Sequence, residues 1–473
     1  MHSRLHRFRP VLPALAATLF AVVRLPELTR SSLWYDELFS MGVAGLPAGE
    51  SLRRIIADHT NPPLFYVLLK GWMAVGGDAD AWVRLLPCLF AILLGAAMVW
   101  LVEEARVGRL AGALAIALAA ASPLSVDLAT EVRAYSLLAL LACLSLAAAL
   151  RLRRDDSRDN FALLTIVNVA LVHTHYFGWL TVGAEVAAAW LWWNRDAARR
   201  VTRSAALAAL AFLPWAAAVV SHATSNAAPL RNVAWIAPPS PMVPVWLMRD
   251  LTGRWLNGGV NDAWLALLAV ALVALLYATA RRRVDAPPTD RGTIALLATA
   301  AIAMPLAVYV VSVATGHSLW VQRYLVGAAA PSALLAAVAV SALPPRRWPL
   351  AAVAGFLWAI GAFAALPQRA PTKFDWRRFT QRIDMAPGSP REVYALEAFT
   401  GAPLLRYAGL GMRVSVVPSL EALPAGPAWL VYRRESFPEA GPADHLHALG
   451  FTVMAALSAE TAGQKIVAIR ISR

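Results

Sequence analysis

Apolar runs of roughly transmembrane length recur along this chain, and they constrain its fold more than any other feature. A helix of about 20 residues crosses a hydrocarbon core of about 30 Å. Of the 473 residues, 59% are hydrophobic and 15% are charged, and the mean hydropathy is +0.55. The sequence therefore predicts a mainly α-helical, polytopic membrane protein and argues against a soluble globular one.

The positive charge is arranged as an orientation signal. The net charge is +14, but the arginines cluster in short breaks between apolar runs, for example at 151–154 and 281–283. This arrangement is typical of cytoplasmic loops and argues against a nucleic-acid partner. We expect a cytoplasmic N-terminus, an uncleaved first span and about eleven transmembrane helices within residues 1–366, in the cell (inner) membrane.

The same topology gathers the unusual polar residues on the opposite, extracytoplasmic face. Residues 28–81 are too polar to span as a whole, so we predict a first extracytoplasmic loop with an interfacial helix near 64–75. The other polar groups on this face are Glu131–Arg133, His173–His175 and Gln322-Arg323. Because the topology came from arginines alone, this agreement is the main argument for a functional site at the outer boundary.

Residues 367–473 differ in composition from the membrane part. Short β-rich runs at 393–396, 414–417, 429–432, 451–454 and 466–471 alternate with helix-like stretches. The segment Asp375–Phe379 has the pattern of an amphipathic helix. We predict a small extracytoplasmic α/β domain over 367–473.

The acid pair Asp36-Glu37 directly follows Trp34 and Tyr35. A charged acid near hydrocarbon is costly, about 2.5–3.5 kcal/mol at a helix centre, so such acids are functional candidates. The alternative interpretation is a solvated acid pair beside aromatic residues at the membrane interface, without a catalytic role. If the substrate is a sugar carried on a polyprenyl phosphate, the phosphate is already a good leaving group and no general acid is needed. Transfer then requires one carboxylate base for the acceptor hydroxyl and fixed cations for the departing phosphate. Asp36 is the candidate base, and we expect Glu37 to hold the acceptor or an arginine.

The cation candidates for the departing phosphate are Arg84, Arg133, Arg323 and Lys70. Arginine pairs bidentately with phosphate, although snorkelling or a structural ion pair is an alternative for each. His173 and His175 are alternate residues that diverge on a helix, so we expect hydrogen bonding rather than metal ligation. No cofactor is predicted, and the participation of a divalent metal is left open. Glu185 is expected to face a polar cavity or to pair with a neighbouring helix.

An ordered set of short motifs resembles the bacterial GT-C membrane glycosyltransferases, in the branch of the protein O-mannosyltransferases and the lipid A aminoarabinose transferases. The motifs are Trp34–Glu37, Asn61–Tyr66, Val83–Pro87, Ser122-Pro123, Glu131–Tyr135, His175–Gly178, Gln322–Tyr324 and Asp375–Arg377. The resemblance covers roughly residues 30–380. His59 departs from the pattern, because Thr60-Asn61 separates it from the two prolines that relatives often place directly after the histidine.

The resemblance implies a GT-C fold, Asp36 as catalytic base, Arg84 as a ligand of the donor phosphate, and inverting transfer from a polyprenyl-phosphate sugar. The acceptor would be an envelope glycan, lipid or protein. The remaining motif residues are candidates for substrate binding: His59, Tyr66, Glu131, Tyr135, His175 and Tyr176. The alternative function is a transporter or flippase of lipid-linked sugars, which the lack of a visible internal repeat disfavours.

Overall fold

The computed structural model describes residues 11–225, 236–252, 289–341, 373–437, 441–461 and 464–473. Its first helices are α1 (Val11–Arg24), α2 (Tyr35–Gly45), α3 (Ala48–Asp58), α4 (Leu64–Gly76), α5 (Asp80–Glu104) and α6 (Arg109–Ala121). Then follow α7 (Pro123–Asp127), α8 (Tyr135–Arg154), α9 (Arg158–Thr174), α10 (Gly178–Trp192), α11 (Arg195–Ser225) and α12 (Val243–Thr252). Later come α13 (Arg291–Ala298), a π-helical turn (Thr299–Ala303), α14 (Met304–Thr315), a 3₁₀ helix (Gln322–Ala328) and α15 (Ala329–Ser341).

Several of these helices have the length and composition of membrane spans. Within the described ranges they are Val11–Thr29, Asp80–Glu104, Tyr135–Arg154, Arg195–Thr224 and Arg291–Thr315. The helical, span-rich architecture predicted from the apolar runs is confirmed. The count of about eleven spans and the orientation of the termini stay predictions. The predicted eighth span, which ends at 281, and the eleventh, which ends near 366, lie outside the described residues.

Proline explains why one predicted span is broken. The apolar run at about 110–126 forms two helices, α6 and α7, which are separated at Ser122. Pro123 has no backbone N–H to donate into α6, whereas the first position of a helix tolerates this loss. After α7 the chain continues into the buried segment that carries Glu131 and Arg133.

The chain divides into two compact units. The first consists of residues 1–26, 43–77 and 82–368, and the second of residues 27–42, 78–81 and 369–473. In the first unit α8 is buried along most of its length, and it packs against α9 and the 3₁₀ helix. Leu138, Leu146 and Leu334 are among the residues that form the core around it.

The second unit contains a mixed sheet beside the helices α16 (Trp376–Asp384), α17 (Ala398–Tyr407) and α18 (Ala443–Ala448). Its strands are β1 (Glu392–Ala395), β2 (Arg413–Val416), β3 (Ala428–Arg433), β4 (Thr452–Thr461) and β5 (Gln464–Ser472). Their order is β2-β1-β3-β5-β4, with β1 parallel to β2 and β3, and with β5 antiparallel to β3 and β4. Each of the five β-rich runs of the sequence forms one of these strands, which confirms the predicted α/β character.

Alternation along β3 explains why the sheet is covered on both faces. Trp429 and Val431 point into one core, together with Phe374 and Trp376. Leu430 and its alternate neighbours point into the other core. Because successive side chains of a strand face opposite sides, an almost continuous apolar run predicts a central strand of this kind.

Candidate functional site

The acid pair opens helix α2 and belongs to the second unit. Trp34 is the residue before the helix, and its carbonyl accepts the first backbone hydrogen bonds, from Glu37 and Leu38 at 3.1 Å. Asp36 therefore lies in the first turn, where the helix dipole favours a negative charge. Its side chain is partly exposed, whereas that of Glu37 is fully buried. The helix start thus presents one accessible carboxylate and one enclosed carboxylate.

Glu37 is bound on two sides. Its Oε2 accepts a hydrogen bond from the Trp34 backbone N–H at 3.2 Å, which is half of a capping box. The same oxygen lies 3.6 Å from the ammonium of Lys373. The sequence predicted a second, holding role for Glu37. In the structure a lysine of the C-terminal segment lies beside its carboxylate, and the contact predicted with an arginine or the acceptor stays a prediction.

Three predicted residues in or next to the first loop have different surroundings. Arg84 is fully buried one turn into α5. Lys70 donates to the backbone carbonyls of Ala44 at 3.0 Å and of Leu46, so its ammonium caps the end of α2. His59 ends α3 in the left-handed conformation, at φ 41°, with its ring against the Ala57 carbonyl. Lys70 and His59 therefore have structural contacts. The assignment of Lys70 to the donor phosphate and that of His59 to substrate binding stay predictions.

Seven other predicted residues come together in the first unit. Tyr66 is buried on α4 and acts electrostatically on Tyr176, whose hydroxyl accepts a hydrogen bond from Trp215 at 3.3 Å. Tyr176 follows His175 in the turn between α9 and α10. The remaining members of this polar cluster are Glu131, Arg133, Tyr135 and Arg323. Four separate chain segments contribute to it, which no local sequence pattern could show.

Aromatic packing fixes the centre of the polar cluster. The ring of Tyr324 lies 6.0 Å from that of Tyr135 and 4.9 Å from that of His175. The guanidinium carbon of Arg323 lies 5.7 Å from the Tyr324 ring centroid and 6.0 Å from that of Tyr135. Arg133 follows Glu131 in a buried segment before α8. Both arginines act electrostatically on Tyr135 and on His175.

The protonation state of His175 follows from its hydrogen bond. Its Nδ1 accepts from the Phe177 backbone N–H at 3.1 Å. An imidazole whose Nδ1 accepts is neutral and carries its proton on Nε2, which makes Nε2 a donor. Within the described residues, neither this Nε2 nor the Tyr135 hydroxyl has a hydrogen-bond partner, although both are buried.

Two buried donors beside two guanidinium groups suit an anion with several acceptor oxygens. A buried polar group without a partner is costly, about 1–3 kcal/mol, and such groups in native structures call for an explanation. An anionic ligand there would accept from His175 Nε2 and from the Tyr135 hydroxyl, with the guanidinium groups of Arg133 and Arg323 in the same cluster. Phosphate has this combination of charge and acceptors.

Glu185 confirms the prediction of a carboxyl paired with neighbouring helices. It is fully buried on α10. Ser145 on α8 donates to its Oε1, and the Asn168 amide on α9 donates to its Oε2 at 3.1 Å. Asn168 also donates to Ser204 on α11 at 3.3 Å. This network joins four helices through polar contacts and fixes their register.

Sequence reasoning missed three residues with long-range partners. Arg24 is fully buried at the end of α1, and it donates to the carbonyls of Ala119 and Ala120 at 3.5 and 3.3 Å. Asp80 and Tyr407, in the second unit, are hydrogen-bonded to each other at 2.6 Å. The position of Arg24 at the end of an apolar run could have marked it in the sequence as a functional candidate. The partners of Asp80 lie more than 290 positions away, so no local pattern indicates them.

His173 and His175 are expected from the sequence to form hydrogen bonds rather than to bind a metal. Across the residues that the structure describes, no group of three or more His, Cys, Asp and Glu side chains is arranged to hold a metal ion. The His173 Nδ1 lies 2.8 Å from the Val169 carbonyl, and its ring packs edge-on against Phe212. The hydrogen-bonding role predicted for this histidine is confirmed.

Solved structures share this fold, although no family model and no curated protein sequence matches the chain. ArnT from Cupriavidus metallidurans bound to undecaprenyl phosphate is 14% identical with a TM-score of 0.58, and the match covers 97% of each chain. Its apo state is 15% identical with a TM-score of 0.57, covering 98% of each chain. The Archaeoglobus fulgidus oligosaccharyltransferase is 14% identical with a TM-score of 0.55, covering 86% of this chain and 62% of that one.

These matches extend over most of the chain at low sequence identity, and their fold is the one that the resemblance of the ordered motifs implies. The chain therefore has the fold of the GT-C membrane glycosyltransferases.

Proposed function

We propose that this chain is an integral-membrane glycosyltransferase that moves a sugar from a polyprenyl-phosphate donor to a hydroxyl of an envelope glycan, lipid or protein. The observation that carries the proposal is the polar cluster, in which buried donors of Tyr135 and His175 lie beside Arg133 and Arg323. A fold neighbour, ArnT from Cupriavidus metallidurans, was solved with undecaprenyl phosphate, which supports a donor of this class.

The proposed reaction needs one base and several phosphate ligands. Asp36 accepts the proton of the acceptor hydroxyl while the hydroxyl oxygen attacks the anomeric carbon of the donor. The bond between that carbon and the phosphate oxygen breaks, and its electron pair stays on the phosphate. Arg133, Arg323 and Arg84 stabilise the charge that grows on the departing polyprenyl phosphate. Attack on the face opposite the phosphate inverts the anomeric centre.

The partly exposed carboxylate of Asp36 and the enclosed carboxylate of Glu37 support this division of roles. A base must reach the hydroxyl that it deprotonates, whereas a holding residue works while buried. We assign Glu37 to holding the loop and propose that the reaction takes place at the extracytoplasmic face, next to the first loop. Because guanidinium groups supply the positive charge in this scheme, the reaction proceeds without a metal or another cofactor.

The direct test uses purified protein in nanodiscs with defined undecaprenyl-phosphate sugars, both pentosyl and hexosyl, and an extract of envelope acceptors. We expect release of undecaprenyl phosphate together with a glycosylated product, with or without a metal chelator. Proteoliposomes that contain the donor but no acceptor distinguish the transporter alternative. Movement of donor lipid between leaflets without any transfer product would contradict the proposed function.

A further inference from the structure

The loop that carries Asp36 is held by residues of the C-terminal segment, all within the second unit. The Ser32 hydroxyl donates to the Phe374 carbonyl at 3.1 Å and accepts from the Trp376 backbone N–H at 2.7 Å. The Leu33 backbone N–H donates to the Tyr407 hydroxyl at 2.7 Å. These bonds join residues more than 340 positions apart in the sequence, so the conformation of the loop depends in part on distant residues.

Tyr407 is itself oriented by a charged group. Its hydroxyl donates to Oδ2 of Asp80 at 2.6 Å. Arg377 and Arg406 each lie 2.9 Å from the same carboxylate, and Arg406 also binds Asp78 at 2.9 Å. The phenol has one proton, which goes to Asp80, so its oxygen is turned to accept from Leu33. A charge-assisted hydrogen bond of this kind is stronger and shorter than a neutral one.

Lys373 fixes the other side of Asp36. Its ammonium lies 3.6 Å from the carboxylate of Glu37, which in turn accepts from the Trp34 N–H at the start of α2. The side chains of Lys373 and Glu37 are 11% and 0% exposed, so water screens this pair weakly. Asp36 therefore lies between two anchored positions, Leu33 before it and Glu37 after it.

We propose that Tyr407 and Lys373 are positioning residues for Asp36, so that the C-terminal segment sets the geometry of the catalytic base. This inference rests on the proposed function, in which Asp36 deprotonates the acceptor. A base works only within hydrogen-bond reach of its proton, and a misplacement of about 1 Å can lower the rate by about 100-fold. Neither residue touches the substrate in this scheme; each acts through the backbone or through Glu37.

The test compares Tyr407→Phe with Tyr394→Phe as a matched control. Tyr394 is a partly buried tyrosine on β1, on the face of the sheet opposite Phe374 and Trp376. With an undecaprenyl-phosphate sugar as donor, Tyr407→Phe should lower kcat by about 10- to 100-fold. The KM for the donor should stay unchanged, because the phosphate ligands lie elsewhere. Tyr394→Phe should behave as the wild type.

Lys373 supplies an independent pair of variants. Lys373→Met removes the charge that faces Glu37 and should lower kcat, whereas Lys373→Arg keeps the ion pair and should restore most of it. If the Tyr407→Phe protein does not accumulate in the membrane, the two Lys373 variants alone test the inference. Equal kcat in Lys373→Met and the wild type would overturn the inference, as would a loss that Lys373→Arg does not recover.

Coupling to Asp36 separates positioning from general stabilisation. If Tyr407 acts through Asp36, adding Tyr407→Phe to Asp36→Asn should cause little further loss, because interacting positions are not additive. A full additional loss in the double variant would indicate a structural role and overturn the inference. Wild-type turnover in Asp36→Asn would instead refute the assignment of the base. An inactive Asp36→Asn beside a fully active Tyr407→Phe would refute the positioning role alone.

Discussion

Removal of one hydroxyl from the polar cluster tests donor binding quantitatively. Tyr135→Phe keeps a ring that packs against Tyr324 at 6.0 Å and against His175 at 6.0 Å, so the packing is retained. The hydroxyl is buried in a side chain that is 0% exposed, and no partner in the described residues competes for it. A hydrogen bond to a charged group contributes about 1.5–3 kcal/mol, and each 1.4 kcal/mol is about tenfold in affinity.

We therefore expect Tyr135→Phe to weaken the binding of undecaprenyl phosphate by about 10- to 100-fold. The assay is calorimetric or fluorescence titration of undecaprenyl phosphate into the purified protein in nanodiscs. Tyr309→Phe is the control, because this tyrosine packs edge-on against Trp320 and is not a member of the polar cluster. Unchanged affinity in Tyr135→Phe would remove the hydroxyl from the phosphate site and would refute the reasoning from its burial.

Three further predictions concern charged residues. Arg84→Ala should weaken donor use by about 10- to 100-fold, because a charge-assisted bond to phosphate is lost; normal transfer kinetics at normal protein levels would exclude it from the site. Lys70→Met should lower thermal stability and leave the donor Kd unchanged, because its ammonium binds the carbonyls of Ala44 and Leu46; a weaker donor Kd would restore it as a phosphate ligand. A reporter fused after Arg154 should read cytoplasmic and one at the C-terminus extracytoplasmic, and a cytoplasmic C-terminus would refute the predicted topology.

Local periodicity made most of the architecture predictable. The apolar runs gave the positions of long helices such as α5, α8 and α11, and the β-rich runs gave all five strands of the sheet. The break at Ser122 was missed because the run from 110 to 126 is apolar throughout, and only the missing N–H of Pro123 interrupts it. Strand pairing was not predictable either, since no local pattern specifies that β3 lies between β1 and β5.

The candidate site was predictable where the residue type alone signals a role. Polar residues at the ends of apolar runs are costly, and this signal selected Glu131, Arg133, His175 and Arg323, which the structure brings together in the polar cluster. The same signal selected Lys70, whose ammonium contacts the carbonyls of Ala44 and Leu46; its role at the phosphate stays a prediction. The signal gave no indication of Lys373 and Tyr407, because their contacts are with residues from the other end of the chain.

The central claim is that Asp36 is the catalytic base, and Asp36→Asn tests it most directly. The amide keeps the size of the side chain and most of its hydrogen bonding, but it cannot take the proton of the acceptor. General-base catalysis contributes about 10²- to 10⁴-fold, so turnover from a defined undecaprenyl-phosphate sugar should fall by that factor. Donor binding, which the arginines provide, should be retained, and Glu37→Gln should be the milder change. Near-normal turnover in Asp36→Asn, with donor still bound, would contradict the account.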